Sequence, residues 1–158
     1  MQASLGIAVA IAALLGISSP VSAKSSWAIQ SRPSLDVRPS GEDVDAFLRA
    51  SCAFDGLILL RIGAEYQVGN GKGEPVSVTI ESSGKSSKLR GVSRWSPDSE
   101  MTGGTELVTE LPLNDPVIEI LFSGKPVTII THDQRQHQLL DTDSGGVGKK
   151  FLKQCGRI

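Results

Sequence analysis

Histidines and cysteines, the residues best suited to metal chemistry, are few in this chain. The two histidines, His132 and His137, enclose a short polar segment. A zinc site needs three or four ligands in a tetrahedral shell. We interpret the segment as a polar turn between strands, with a surface transition-metal site as the alternative. The sequence therefore predicts no metal centre and no bound cofactor.

Two glycine-containing segments approach the pattern of ligand-binding loops without completing it. Residues 143–150 contain Gly148-Lys149 at the positions of a phosphate loop, but Asp143 replaces the first glycine of such a loop and Lys150 replaces the hydroxyl residue that binds magnesium. Residues 141–146 open like a calcium loop, but Leu152 stands where a bidentate glutamate is needed. We interpret this region as the approach to a terminal helix.

Glu106 and Glu110 are the carboxylates most relevant to hydrolysis, because a strand over residues 105–111 would place them on one face. A glycosidase needs two such groups flanking the scissile bond. We favour a solvated sheet face, and a hydrolase with paired carboxylates is the alternative. No Gly-x-Ser-x-Gly motif occurs, and we assign no catalytic residue.

A candidate partner-binding surface is formed by Arg90, Arg94, Trp95, Asp98 and Met101. Tryptophan and arginine are enriched at protein interfaces. Trp95 lies between charged residues and precedes a polar, glycine-containing loop. The alternative interpretation is a core tryptophan whose charged neighbours are solvated.

The N-terminal segment has the features of an export signal. Residues 1–23 contain no charged side chain, residues 5–17 are apolar, and small residues precede Lys24. This pattern predicts a secretory signal that is removed on export, and the apolar run is too short for a transmembrane helix. We therefore expect a periplasmic or secreted chain, residues 24–158, that forms one domain without a membrane span.

The charge pattern argues against nucleic acid as a partner. The formal net charge is −1 at neutral pH, and lysine and arginine are scattered along the chain. A nucleic-acid-binding domain would show a basic patch or stripe.

Cys52 and Cys155 are the only cysteines. In an exported chain, two cysteines predict one disulfide bond. The bond would close a loop of about 100 residues and tie the C-terminus to the central strand. A redox-active pair is disfavoured because the Cys-x-x-Cys spacing is absent.

The apolar run Leu57–Ile62 is the predicted centre of the fold, and its shortness favours a strand buried on both faces. Further strands are expected over residues 76–81, 88–95, 105–111, 127–131 and 137–140. Helices are expected over residues 41–51, from Pro116 to the stop at Gly124, and from Val147 to Cys155.

These elements predict an α+β domain. It would contain a mostly antiparallel sheet of about five to seven strands, two or three helices and one disulfide bond. The alternative is an all-β sandwich in which the segment after Pro116 is a strand.

The order of elements resembles that of small periplasmic accessory proteins associated with type VI secretion. The similarity comprises the export signal, the early Trp27, Cys52 beside the leucine-rich strand, and the helix-strand-strand-helix-Cys tail over residues 116–155. It covers about two-thirds of the mature chain and implies a non-enzymatic envelope role.

The sequence thus favours an exported, non-catalytic protein that binds another macromolecule through a sheet edge or through the Trp95 loop. A small-ligand or metal-binding module is the remaining alternative to this role and to the hydrolase.

Overall fold

The computed structural model describes residues 25–29, 34–39, 47–63, 67–97, 104–131, 136–139 and 146–156. They form one antiparallel sheet in the order β1-β2-β3-β4-β7-β6-β5-β8-β9, with two helices and a 3-10 turn. The strands are β1 Ser25–Ile29, β2 Ser34–Pro39, β3 Leu48–Cys52, β4 Leu57–Ile62, β5 Lys72–Ser82, β6 Lys85–Trp95, β7 Thr105–Pro112, β8 Val127–Ile130 and β9 Gln136–Leu139; the helices are α1 Pro116–Leu121 and α2 Val147–Cys155, and the 3-10 turn is Phe54–Gly56.

The α+β class is confirmed, and the nine described strands exceed the expected five to seven. One added strand is β2, which lies in a segment for which we predicted no helix or strand. Leu35 and Val37 of β2 are fully buried, and β2 pairs with both β1 and β3. Strand β2 has only these two alternating apolar residues, and it forms because strands pair with it on both sides.

Strand β4 occupies the expected central position, between β3 and β7. Ile58, Leu60 and Ile62 are fully buried, whereas Leu57, Leu59 and Arg61 are half-buried. The expectation of burial on both faces is therefore wrong. The residues alternate between a core face and an outer face, as in an antiparallel sheet that is covered on one side.

The helix expected over residues 41–51 is wrong for its last part, because Leu48–Cys52 forms strand β3. Residues 40–46 lie outside the described part of the chain. Leu48 and Ala50 face the core, and β3 pairs with β2 and β4 along its length. The spacing of Phe47, Leu48 and Ser51 fits a helix locally, but pairing with two strands determines the conformation.

Both helices pack on the core face of the sheet. Asp115 caps α1 by accepting a hydrogen bond from the Val117 amide at 2.8 Å, with Pro116 at the first helical position. The predicted helix at Pro116 is confirmed, which excludes the all-β sandwich. Phe122, just after α1, contacts Phe151 of α2 with ring centroids 6.0 Å apart.

The predicted disulfide bond joins Cys52 to Cys155, 103 residues apart in sequence, with their Cα atoms separated by 5.1 Å. It fastens the end of α2 to the end of β3. The predicted C-terminal helix and its disulfide link to the central strands are therefore confirmed. In the part of the chain that is described, no helix has the length and apolar character needed to cross a membrane.

Candidate functional site

Trp95 ends strand β6 and is 56% exposed. It follows Ser93 by two residues, so its side chain lies on the core face of the strand, at the rim of the sheet. The indole packs against the backbone of Gly71 in the turn before β5. The core interpretation of Trp95 is therefore wrong: one side of the ring is supported by the protein and much of the rest faces solvent.

Ser93 holds this supporting turn in place. Its side chain is fully buried, and its hydroxyl donates to the Val68 carbonyl at 2.5 Å and accepts from the Gly71 amide at 2.8 Å. Thr105 of the neighbouring strand donates its hydroxyl to the Gly69 carbonyl at 3.2 Å. The turn is thus fastened to β6 and β7, the two strands that position Trp95.

Two positions in the turn, Gly69 and Gly71, require glycine because their φ angles are positive and because a side chain would clash with a neighbouring residue. Gly71 has φ of +74°, and a Cβ there would lie 2.9 Å from two indole atoms of Trp95. Gly69 has φ of +79°, and a Cβ there would meet the Ser93 side chain at 2.8 Å. Side chains would strain the backbone and displace the tryptophan from its support.

Glu74 also holds the turn, through hydrogen bonds from the turn backbone to its side chain. Its carboxylate accepts hydrogen bonds from the Asn70 amide and, at 3.0 Å, from the Lys72 amide. These backbone donors, the Asn70 amide first, hold the pKa of the Glu74 carboxyl below its ordinary value. The ionised form of Glu74 therefore stabilises the turn.

A row of cations lies on the outer face of β6. Lys88, Arg90 and Arg94 are exposed. They are two and four residues apart along the strand, so their side chains point to the same face. Among the described residues, no carboxylate lies within ion-pair distance of these three side chains. The row can therefore offer charge to an anionic partner.

A cavity of about 580 Å³ lies beside the cation row. Lys88 and Arg90 contribute to its wall, together with Val68, Pro75 and Val76. Gly69 also lines it, so the turn that supports Trp95 forms one end of the cavity. Trp95 lies on the core face of β6 and the cations on its outer face, and the turn lies next to both, with Gly71 against Trp95 and Gly73 against Arg94. We call the tryptophan, the cation row and the cavity together the Trp95 surface.

The structure describes three of the five residues predicted for partner binding, all of them on β6. Arg90, Arg94 and Trp95 belong to the Trp95 surface, whereas Asp98 and Met101 lie outside the described part of the chain. Lys88 and Ser93 were not predicted from the sequence to belong to this surface. The alternation of Lys88 and Arg90 in a strand was a usable signal for the cation row, but nothing local indicated that Ser93 would meet a turn more than 20 residues earlier.

Glu106 is not solvated, contrary to expectation. Its side chain is almost completely buried and forms an ion pair with Arg61 of β4. Glu110 is exposed on the same strand. Four residues of strand separate the two by roughly 14 Å, whereas glycosidase carboxylates lie about 5–10 Å apart. This pair does not have the geometry of a glycosidase site.

Phe54 is a second exposed aromatic residue, 88% exposed, in the 3-10 turn between β3 and β4. It lies at the opposite end of the sheet from Trp95. Thr105, at the start of β7, pairs with Trp95, and Pro112, at its end, pairs with the first residue of β4. The length of β7 separates the two ends by roughly 24 Å.

No group of three or more metal-ligating side chains occurs among the described residues. His132, the side chain of His137 and residues 141–145 lie outside them, as does the predicted signal segment. Comparisons of the chain with protein-family models, with curated proteins and with solved structures give no significant match.

Proposed function

We propose that this protein is an exported, non-catalytic envelope protein that binds a partner protein through the Trp95 surface. The observation that carries the proposal is a tryptophan that is more than half exposed and yet packs against the backbone of Gly71. A fixed aromatic side chain loses little conformational entropy on binding, which is why such residues dominate interface energetics.

The surrounding charges support the same proposal. Arg90 and Arg94 lie on the outer face of β6, the strand that ends at Trp95, and arginine is enriched with tryptophan at interface hot spots. Their exposure without a described carboxylate partner leaves them available to steer an oppositely charged protein.

The disulfide bond supports the proposed location. Structural disulfide bonds form in oxidising compartments such as the periplasm or the extracellular space. Together with the export signal expected in residues 1–23, the bond between Cys52 and Cys155 favours a periplasmic or secreted protein. An accessory role in type VI secretion, implied by the resemblance, is part of this proposal.

The experiment is affinity capture from an envelope extract with three purified proteins: wild type, Trp95→Ala and Phe54→Ala. Both substitutions remove an exposed aromatic side chain, but at opposite ends of the sheet. We expect the wild type and Phe54→Ala to recover the same protein. Trp95→Ala should lose at least about 90% of it, because truncation of a hot-spot residue costs 2 kcal/mol or more.

Equal recovery by all three proteins would contradict the proposal, as would recovery of no specific protein. Loss with Phe54→Ala alone would move the interface to the opposite end of the sheet. Circular dichroism and thermal unfolding of each variant show whether a loss of capture reflects a loss of folding.

A further inference from the structure

Strand β5 is longer than the strand that covers its outer side. It spans 11 residues, but it pairs with β8 only from Thr79 to Glu81. Among the described residues, no strand lies on this side of β5 from Lys72 to Val78. In the described part of the chain, the edge of β5 beyond the end of β8 is therefore unpaired, and we call this stretch of edge the notch.

The notch suits a short extended segment. Pro75 lacks an amide hydrogen, and a register shift in the pairing with β6 lies between Lys72 and Pro75. Proline and bulges limit strand addition at sheet edges. The length able to pair is consequently confined to about three residues, Val76 to Val78, so a bound segment needs additional side-chain contacts.

The cation row supplies such contacts. Arg90 stands opposite Ser77, and Lys88 stands opposite Thr79, on the outer face. A segment added along β5 would lie roughly 10 Å from β6, two strand spacings away. Ser77 and Thr79 have short side chains, so on this face they do not separate the long cationic side chains of β6 from carboxylates on the added segment.

The cavity lies at the same place. Pro75, Val76 and Ser77 of β5 line it together with Lys88 and Arg90. Its volume of about 580 Å³ accommodates one or two side chains of a bound segment. An apolar wall from Val68 and Val76 and a cationic side from Lys88 and Arg90 favour an apolar residue next to an acidic one.

We propose that the notch beside β5 binds an acidic peptide segment in extended conformation, which adds as a short strand and places its carboxylates against Lys88 and Arg90. This inference rests on the proposed function, since it states the chemistry of the partner at one side of the Trp95 surface. Strand addition gives affinity through the backbone, and the charges select the sequence.

The probe is a fluorescent eight-residue peptide of alternating glutamate and valine, and the measurement is fluorescence anisotropy. A peptide of alternating lysine and valine controls for charge. Glutamate-valine peptides that are N-methylated at alternate residues, in both frames, control for backbone pairing because methylation removes the donor. The protein variants are Lys88→Glu with Arg90→Glu and, as a matched control, Lys149→Glu with Lys150→Glu on α2.

We expect the glutamate-valine peptide to bind wild type and the α2 variant equally, and to bind the β6 variant at least about tenfold more weakly. The lysine-valine peptide should prefer the β6 variant. Methylation in one frame should weaken binding about tenfold, and methylation in the other frame should have a small effect. Affinity for the acidic peptide should fall as salt is raised.

Equal loss of binding in both charge variants, or equal binding of both methylated peptides, would overturn the inference. So would binding of an acidic polysaccharide such as alginate, or of free glutamate, without binding of the peptide. Capture that depends on Trp95 while the peptide fails to bind would refute the notch and leave the proposed function standing. Peptide binding without Trp95-dependent capture would refute the proposed function instead.

Discussion

Replacing Ser93 with alanine should loosen the turn that supports Trp95. The substitution removes one oxygen atom from a fully buried position and leaves the Gly71 amide and the Val68 carbonyl without their partner. Each buried group left unsatisfied costs about 1–3 kcal/mol. Because the turn can relax towards water, we expect a total loss of about 2–3 kcal/mol in the free energy of unfolding.

The assay is urea unfolding, followed by circular dichroism and by the fluorescence of Trp95 in a Trp27→Phe background. Ser86→Ala is the matched control, because Ser86 lies on the same strand but is exposed and donates one long hydrogen bond, 3.3 Å, to Glu81. This control should change the free energy of unfolding by less than about 0.5 kcal/mol.

The fluorescence distinguishes a local from a global effect. In folded Ser93→Ala, the emission of Trp95 should shift to longer wavelength, since the indole loses its support on Gly71 and gains contact with water. If Ser93→Ala and Ser86→Ala unfold at the same urea concentration with the same emission maximum, the turn does not depend on Ser93 and our reasoning is refuted.

Three further predictions concern the framework of the site. Gly91→Ala should lower the free energy of unfolding by about 1–3 kcal/mol, measured in urea, because a Cβ there would lie 2.5 Å from the Val108 carbonyl oxygen; an unchanged midpoint contradicts this. Replacing Cys52 and Cys155 together with alanine should lower the same free energy by about 4–5 kcal/mol, because the bond closes a 103-residue loop, and reduction of wild type should reproduce the loss. The pKa of Glu74 is lowered from its ordinary value of 4.5, so the ionised carboxylate stabilises the folded protein above that pH, and this contribution is lost as the pH falls through the lowered pKa of the folded state. The thermal stability of Glu74→Gln should lack this part of the pH dependence, and a pH profile identical to that of wild type would contradict the role of the carboxylate.

Much of the fold followed from local patterns in the sequence. The alternation over residues 76–80 predicted the strand that became β5, and Asp115 with Pro116 predicted the start of α1. The two cysteines predicted the disulfide bond because no other partner existed for either. In each case the information that determines the structure lies within a few residues or in a unique pair.

The errors arose where distant parts of the chain determine the outcome. Residues 48–51 have a spacing that suits a helix, but pairing with β2 and β4 makes them a strand. Glu106 alternates outward like Glu110, yet its ion pair with Arg61 lies on a neighbouring strand, 45 residues away. A single sequence without its topology gives no access to such contacts.

The candidate site was also predictable only in part: its residue types could be read from the sequence, whereas its contacts could not. Arg90, Arg94 and Trp95 were identified because their residue types are enriched at interfaces. The contact between Trp95 and Gly71, and the hydrogen bonds of Ser93, depend on the register between β5 and β6 and on the path of the preceding turn. The notch beside β5 depends on where β8 ends relative to β5, which is a property of the assembled sheet.

The most direct test of the proposed surface is photo-cross-linking in intact cells. A benzophenone amino acid would replace Trp95 in one strain, Arg90 in a second and Phe54 in a third. We predict that the first two positions form a cross-link to the same partner protein and that position 54, at the opposite end of the sheet, does not. Cross-links of equal yield from all three positions, or from position 54 alone, would contradict the assignment of this surface.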